Sequence, residues 1–137
     1  MYIKEPAEKA QAVVIWLHGL GSNYQDMAAL SDALSVKEPV KHIYLQAPDR
    51  AVTINGGMRM PALYVIGNIT LNSREDLQGL LESQNTLEAV IDQEIQQGLS
   101  SEKIYLAGFS QGAAVALFTG IACEKRLGGV ICLSGYL

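Results

Sequence analysis

The chain has 137 residues, 49% of them hydrophobic and 18% charged, with 13 Gly, 2 Cys, 2 His and a formal net charge of −4. That length suits a single domain over 1–137, able to bury roughly two-thirds of its unfolded surface without disulfide staples or a structural metal. The scattered Lys and Arg form no basic stripe for a phosphate backbone, and no apolar run approaches the roughly 20 residues of a membrane-spanning helix. Nucleic acid as a partner and a membrane span are therefore both argued against.

In chain order, Met1-Tyr2-Ile3-Lys4-Glu5-Pro6 lacks the basic and apolar regions of a secretory leader, so a cytoplasmic location is expected. Ala12 to Leu17 is a continuous β-rich run ending in His18-Gly19-Leu20-Gly21, the pattern of a buried parallel strand entering a tight loop. Asn23 is placed to cap a helix over Tyr24 to Leu34, with Met27, Leu30 and Leu34 on one side and Asp26 in the first turn. His42 to Leu45 makes a second strand, stopped by Ala47-Pro48-Asp49, with His42 at its amino end. From Arg50 to Asn72 no period is sustained, and an extended excursion with one short strand is expected.

Ser73 and Asp76 resemble a capping box opening the longest helix, which runs to Gln97. Leu77, Leu80, Leu81, Leu87, Val90, Ile91 and Ile95 give it an apolar face, and Gly98 a left-handed stop. Ile104 to Ala107 is a third strand and Val130 to Leu133 a fourth, with a helix rich in small residues from Ser110 to Cys123 between them. Cys123 and Cys132, set in apolar stretches without Cys-x-x-Cys spacing, read as small buried thiols. The alternation predicts an α/β fold, a mostly parallel sheet flanked by helices, with chemistry at the carboxyl ends of the strands.

Gly108-Phe109-Ser110-Gln111-Gly112 fits G-x-S-x-G and lies directly between a strand and a helix. A serine on such a turn sits in an unfavourable backbone conformation that presents its hydroxyl. Glycine is needed on either side because a β-carbon would clash where strand and helix approach. The helix start beside Ser110 favours a negative charge. A tetrahedral intermediate needs two donors; the backbone N–H of Gln111 supplies one, and that of Leu20, in the glycine-rich loop after the first strand, is the candidate for the second. Such serine chemistry uses no cofactor and no metal. A dinucleotide site is the weaker reading, since Gly19-Leu20-Gly21 lacks the third glycine and no acidic residue ends the next strand.

Three stretches, Trp16 to Gly21, Gln46 to Met60 and Leu106 to Ala113, resemble the phospholipase/carboxylesterase family that includes acyl-protein thioesterases, within the α/β-hydrolase fold. The resemblance implies a serine hydrolase of carboxylic esters or thioesters, with Ser110 as nucleophile and the amides of Leu20 and Gln111 as oxyanion hole. Its substrate would be a small acyl ester or an acylated protein or lipid. The family's apolar loop ahead of the long helix would make Met58, Met60 and Leu63 an acyl-chain surface, although Leu63-Tyr64-Val65 replaces the family's aromatic-aromatic-Asp stretch.

The family order Ser, then Asp or Glu, then His has no counterpart here, because no His follows His42. The sequence thus reads as the N-terminal portion of such a domain, lacking its last strands and helices, with base and acid beyond residue 137 and the chain alone nearly inactive. His18 suits fixing its own turn by hydrogen bonding, and His42 is expected at the far edge of the sheet. Asp26, Asp32 and Asp49 have capping or solvated readings. The alternative is a non-catalytic module that assembles, as a homo-oligomer or with a complementing C-terminal segment, through the open edge of its last strand.

Overall fold

In the computed structural model the described residues are 1–19, 22–34, 36–47, 49–52, 58–61 and 74–133, with the backbone alone described at 49–52, 58–61 and 74–76. Along the chain run β1 Tyr2–Lys4, β2 Ala12–Leu17, α1 Tyr24–Asp32, β3 Val40–Leu45, β4 Asp49–Val52, β5 Met58–Pro61, α2 Arg74–Gln96, β6 Ile104–Phe109, α3 Gln111–Ala122 and β7 Gly129–Leu133. Five strands form one sheet in the order β1-β3-β2-β6-β7, parallel throughout except for β1 against β3. β4 and β5 pair separately as an antiparallel hairpin, Asp49 opposite Pro61 and Val52 opposite Met58.

The apolar runs of β2, β3 and β6 are continuous because each strand sends side chains into a cluster on either face of the sheet. Val13, Ile15, Leu17, Ile43, Leu45, Ile104 and Leu106 point to one face, where they pack with Leu80, Leu87, Val90 and Ile91 of α2 and Val115 and Ala116 of α3. Trp16, Tyr44 and Ala107 point to the other, against Met27 of α1. The side chain of Asn23 accepts from the N–H groups of Gln25 (3.0 Å) and Asp26 (3.3 Å), as its capping role requires. Gly98, at φ +104°, ends α2 in the left-handed region.

Several expectations are corrected. The excursion after β3 holds two strands, not one. β1 was invisible to periodicity, being three residues long; it is anchored by Tyr2, whose ring lies 5.4 Å from that of Tyr24 and 5.7 Å from that of Tyr44. His42 lies inside β3, where its Nδ1 accepts from Trp16 Nε1 at 3.0 Å. Leu77 (52% exposed) and Leu81 (42%) sit outside the buried stripe of α2, which passes instead through Leu80, Ser83, Leu87, Ile91 and Glu94. Cys132 is exposed and Cys123 half-buried, because β7 is the last strand of the described sheet. The Ser73 half of the capping box lies outside the described residues.

One buried charge pair crosses from sheet to helix. Lys41 Nζ donates to both carboxylate oxygens of Glu94, at 2.9 and 3.1 Å, with the exposed Glu5 carboxylate 3.6 Å away. Both side chains are under 10% exposed, so removing Glu94 leaves the desolvated Lys41 ammonium with the exposed Glu5 carboxylate at 3.6 Å, and removing Lys41 leaves a desolvated carboxylate. We expect Glu94→Leu alone to cost about 3 kcal/mol in urea unfolding, and Lys41→Met with Glu94→Leu to recover most of that loss. Equal losses in the single and double variants would show that the pair is not coupled.

Candidate active site

Ser110 stands between β6 and α3 at φ 54°, ψ −113°, the only non-glycine of positive φ among the described residues. A backbone in this region costs on the order of 1–3 kcal/mol, so neighbours must impose it. Its N–H donates to the Leu133 carbonyl of β7 (2.8 Å), and its own carbonyl accepts from the N–H of Ala114 in α3 (3.2 Å). Strand and helix thus each fix one side of the residue. Ser110 is only half-buried, and its side chain makes no capping bond to α3.

Both flanking glycines are explained by close approach. A β-carbon on Gly108 would lie 2.2 Å from the Gly112 carbonyl oxygen, and one on Gly112 would lie 2.2 Å from the Leu17 carbonyl oxygen and 2.7 Å from that of His18. α3 therefore begins in backbone contact with the end of β2. Gln111, its first residue, is buried at the helix's positive end.

The same approach brings the loop after β2 to the serine. A β-carbon on Gly19 would sit 3.4 Å from Ser110 Cβ and 3.3 Å from Phe109 Cδ1. Phe109, the last residue of β6, is 41% exposed and lies against Gly19. His18 is buried, and its Nε2 accepts from the N–H of Ala47 at 2.9 Å. Nδ1 therefore carries the proton and donates to the Gly19 carbonyl at 2.9 Å, an assignment made from the partners. That carbonyl also accepts from the N–H of Ser22 (3.2 Å). Burial pushes the His18 pKa down, and both ring nitrogens are engaged, so this imidazole has no lone pair to offer Ser110. His42 is held low by burial and by the Lys4 ammonium, and its Nδ1 is occupied by Trp16.

The structure thus brings together Gly19, Gly108, Phe109, Ser110, Gln111 and Gly112. Leu20 and Leu63 lie outside the described residues; Met58 and Met60 fall in β5, where their side chains do. Asp26 accepts from the hydroxyl of Ser22, and Asp32 pairs with Lys4, as their non-catalytic readings hold. Two supports had no sequence signal, the Ala47 N–H on His18 and the Leu133 carbonyl on Ser110, since each joins loops remote in the chain. Among the described residues, no group of three or more His, Cys, Asp or Glu is placed to hold a metal ion, and no helix is long and apolar enough to cross a membrane.

Comparison with known proteins agrees with this fold. The family described as Phospholipase/Carboxylesterase matches residues 1–137. Acyl-protein thioesterase 1 of Schizosaccharomyces pombe is 40% identical over 135 residues, which cover 98% of this chain and 60% of that protein. Acyl-protein thioesterase 1 of Yarrowia lipolytica is 39% identical over 140 residues, covering 98% and 62%. Among solved structures, Arabidopsis thaliana SOBER1 superposes with a TM-score of 0.84 at 30% identity, covering 93% of this chain and 63% of its own. The α/β-hydrolase architecture is shared, and the chain spans about 60% of the curated relatives it matches.

Two outcomes follow from the packing and from the imidazoles. Gly108→Ala and Gly112→Ala should each cost about 3 kcal/mol or more by forcing backbones apart, whereas Gly19→Ala, whose contacts are 3.3–3.4 Å, should cost clearly less. Indistinguishable urea midpoints for the three variants would show that the approach relaxes freely. Both histidines titrate below their ordinary 6.5 when folded, so the unfolded chain takes up protons that the folded chain refuses. Stability should be full above about pH 6.5 and decline as pH falls beneath it. Unfolding free energies that stay flat from pH 7 to pH 5 contradict that linkage.

Proposed function

The chain belongs to the phospholipase/carboxylesterase family, and from that membership we propose that the protein is a serine hydrolase of carboxylic esters or thioesters, acting on acylated proteins, acyl lipids or small acyl esters. The observation that carries the proposal is Ser110 held at φ 54° on a strand-to-helix turn in contact with Gly19. Ser110 Oγ attacks the acyl carbonyl carbon, and the carbonyl oxygen takes the negative charge. The backbone N–H of Gln111, at the positive end of α3, donates to that oxygen. The Gly19 carbonyl is pinned between His18 and Ser22, and this reading assigns the amide of the next residue, Leu20, as second donor. Collapse of the intermediate expels the alcohol or thiol, and water then releases the acid from the acyl-serine.

A base must take the serine proton, and both imidazoles of these 137 residues are committed elsewhere. The proposal therefore places the general base and its orienting carboxylate outside this span, within a domain of which residues 1–137 form one part. Met58, Met60 and Leu63 are the candidates for the acyl-chain surface in this reading. A cytoplasmic setting belongs to the same proposal, and the two unpaired thiols suit a reducing compartment. The engaged histidines also favour one second reading, a non-catalytic module that keeps the serine turn as a scaffold.

Hydrolysis of a p-nitrophenyl ester separates them. A form of the protein that supplies the acid and base should turn over and lose about 10³-fold or more with Ser110→Ala, while the 137-residue chain alone stays near the trace rate of an oxyanion hole without a base. Rapid turnover by the chain alone, lost in Ser110→Ala, overturns the placement of the base. Unchanged activity in Ser110→Ala overturns the nucleophile, and no activity in any form supports the module.

A further inference from the structure

Gln46, just after β3, is exposed, yet its side-chain amide reaches across to α1. Its Oε1 accepts from the N–H of Tyr24 at 2.9 Å, and its Nε2 donates to the Ala47 carbonyl at 3.4 Å, the two atoms being told apart by these partners. Tyr24 is the first residue of α1, and its N–H is one of those at a helix start that the helix itself cannot pair. Asn23 serves the N–H groups of Gln25 and Asp26. A side chain 22 residues further along thus completes the cap that Asn23 leaves open.

The next residue makes the matching tie at the other end of the loop after β2. The N–H of Ala47 donates to His18 Nε2, and His18 Nδ1 donates to the Gly19 carbonyl, which also accepts from Ser22. Gln46 and Ala47 therefore hold both ends of the stretch from Gly19 to Tyr24, and Gly19 is the residue in contact with Phe109 and Ser110. Their own anchor is firm, since Leu45 of β3 lies in register with Leu17 of β2 and both are buried. We propose that Gln46 is a positioning residue for the reaction: by fixing the outer end of this stretch against β3, it keeps Gly19 and the amide that follows it aimed at the oxygen on which charge develops. The claim rests on the reading of Ser110 as nucleophile and of the Leu20 amide as second donor. A stretch tied at one end can still pivot about that tie, whereas one tied at both is set before the charge appears, which is the condition under which a donor lowers the barrier most.

Two substitutions test it. Gln46→Met keeps the length of the side chain and removes the acceptor, while Gln46→Glu keeps an acceptor for Tyr24. Amide exchange, read residue by residue by NMR on the 137-residue chain, should speed up about tenfold or more in Gln46→Met at Tyr24 and also at Ser22, and stay within about twofold of the parent in Gln46→Glu. In the form of the protein that hydrolyses a p-nitrophenyl ester, Gln46→Met should lower kcat about tenfold with KM within about twofold, and Gln46→Glu should restore most of that loss. The size follows because deleting an oxyanion donor costs about 10²-fold to 10³-fold, and a misaimed donor keeps part of its effect. Faster exchange at Tyr24 with Ser22 unchanged overturns the proposal, as does a lowered urea midpoint with kcat intact; either leaves Gln46 a cap of α1 and nothing more. Turnover that Ser110→Ala does not reduce overturns instead the reading of the site on which the proposal rests.

Discussion

The approach of α3 to the end of β2 is the constraint on which the rest depends. Gly112 lies so near the Leu17 and His18 carbonyls that no side chain fits between, and Gly108 meets the first turn of α3 in the same way. With those backbones in contact, the peptide joining β6 to α3 has too little length for a relaxed turn, and Ser110 takes the positive φ. The strain, on the order of 1–3 kcal/mol, is small beside the burial of α3, whose Ala113, Val115 and Ala116 are each at most 1% exposed. Packing wins, and the serine is presented by a helix the core holds in place.

His18 acts as a buried cross-brace in the same region. Its neutral ring takes the Ala47 N–H and gives its own proton to the Gly19 carbonyl, so the loops after β2 and β3 are joined through one side chain. Each such bond contributes only about 1 kcal/mol net, but an unpaired buried N–H or carbonyl costs about 1–3 kcal/mol, so the pairing specifies the loop more than it stabilises the fold. A charged imidazole would set a second N–H against that of Ala47. Burial and geometry therefore favour the same protonation state.

What was legible in the sequence was local. The Asn23 cap, the Gly98 stop, the apolar runs of β2, β3 and β6, and the glycines about Ser110 each state their reason within a few residues. What was not legible is set by contacts between distant segments. β1 exists because Tyr2 finds Tyr24 and Tyr44. Leu77 and Leu81 belong to the apolar pattern of α2 but not to its buried stripe, which admits Ser83 and Glu94 because Lys41 lies opposite Glu94. Cys132 looked internal from its neighbours, and the position of β7 in the sheet decides otherwise. The hairpin partner of β5 has no period of its own and is defined only by pairing.

The two faces of the sheet are unequally covered. Among the described residues, fourteen buried apolar residues form the cluster between the sheet and α2 and α3, and four form the one between the sheet and α1, so the first face carries the larger core. β2, β6 and α3, which shape the serine turn, all contribute residues to that larger cluster. The turn can therefore be set without cover on the opposite face. Val14, Tyr105, Ile131, Leu34 and Val36 occupy surface that charged side chains would otherwise hold, which accounts for part of a charged fraction of 18%, below the roughly 25% of an average soluble domain.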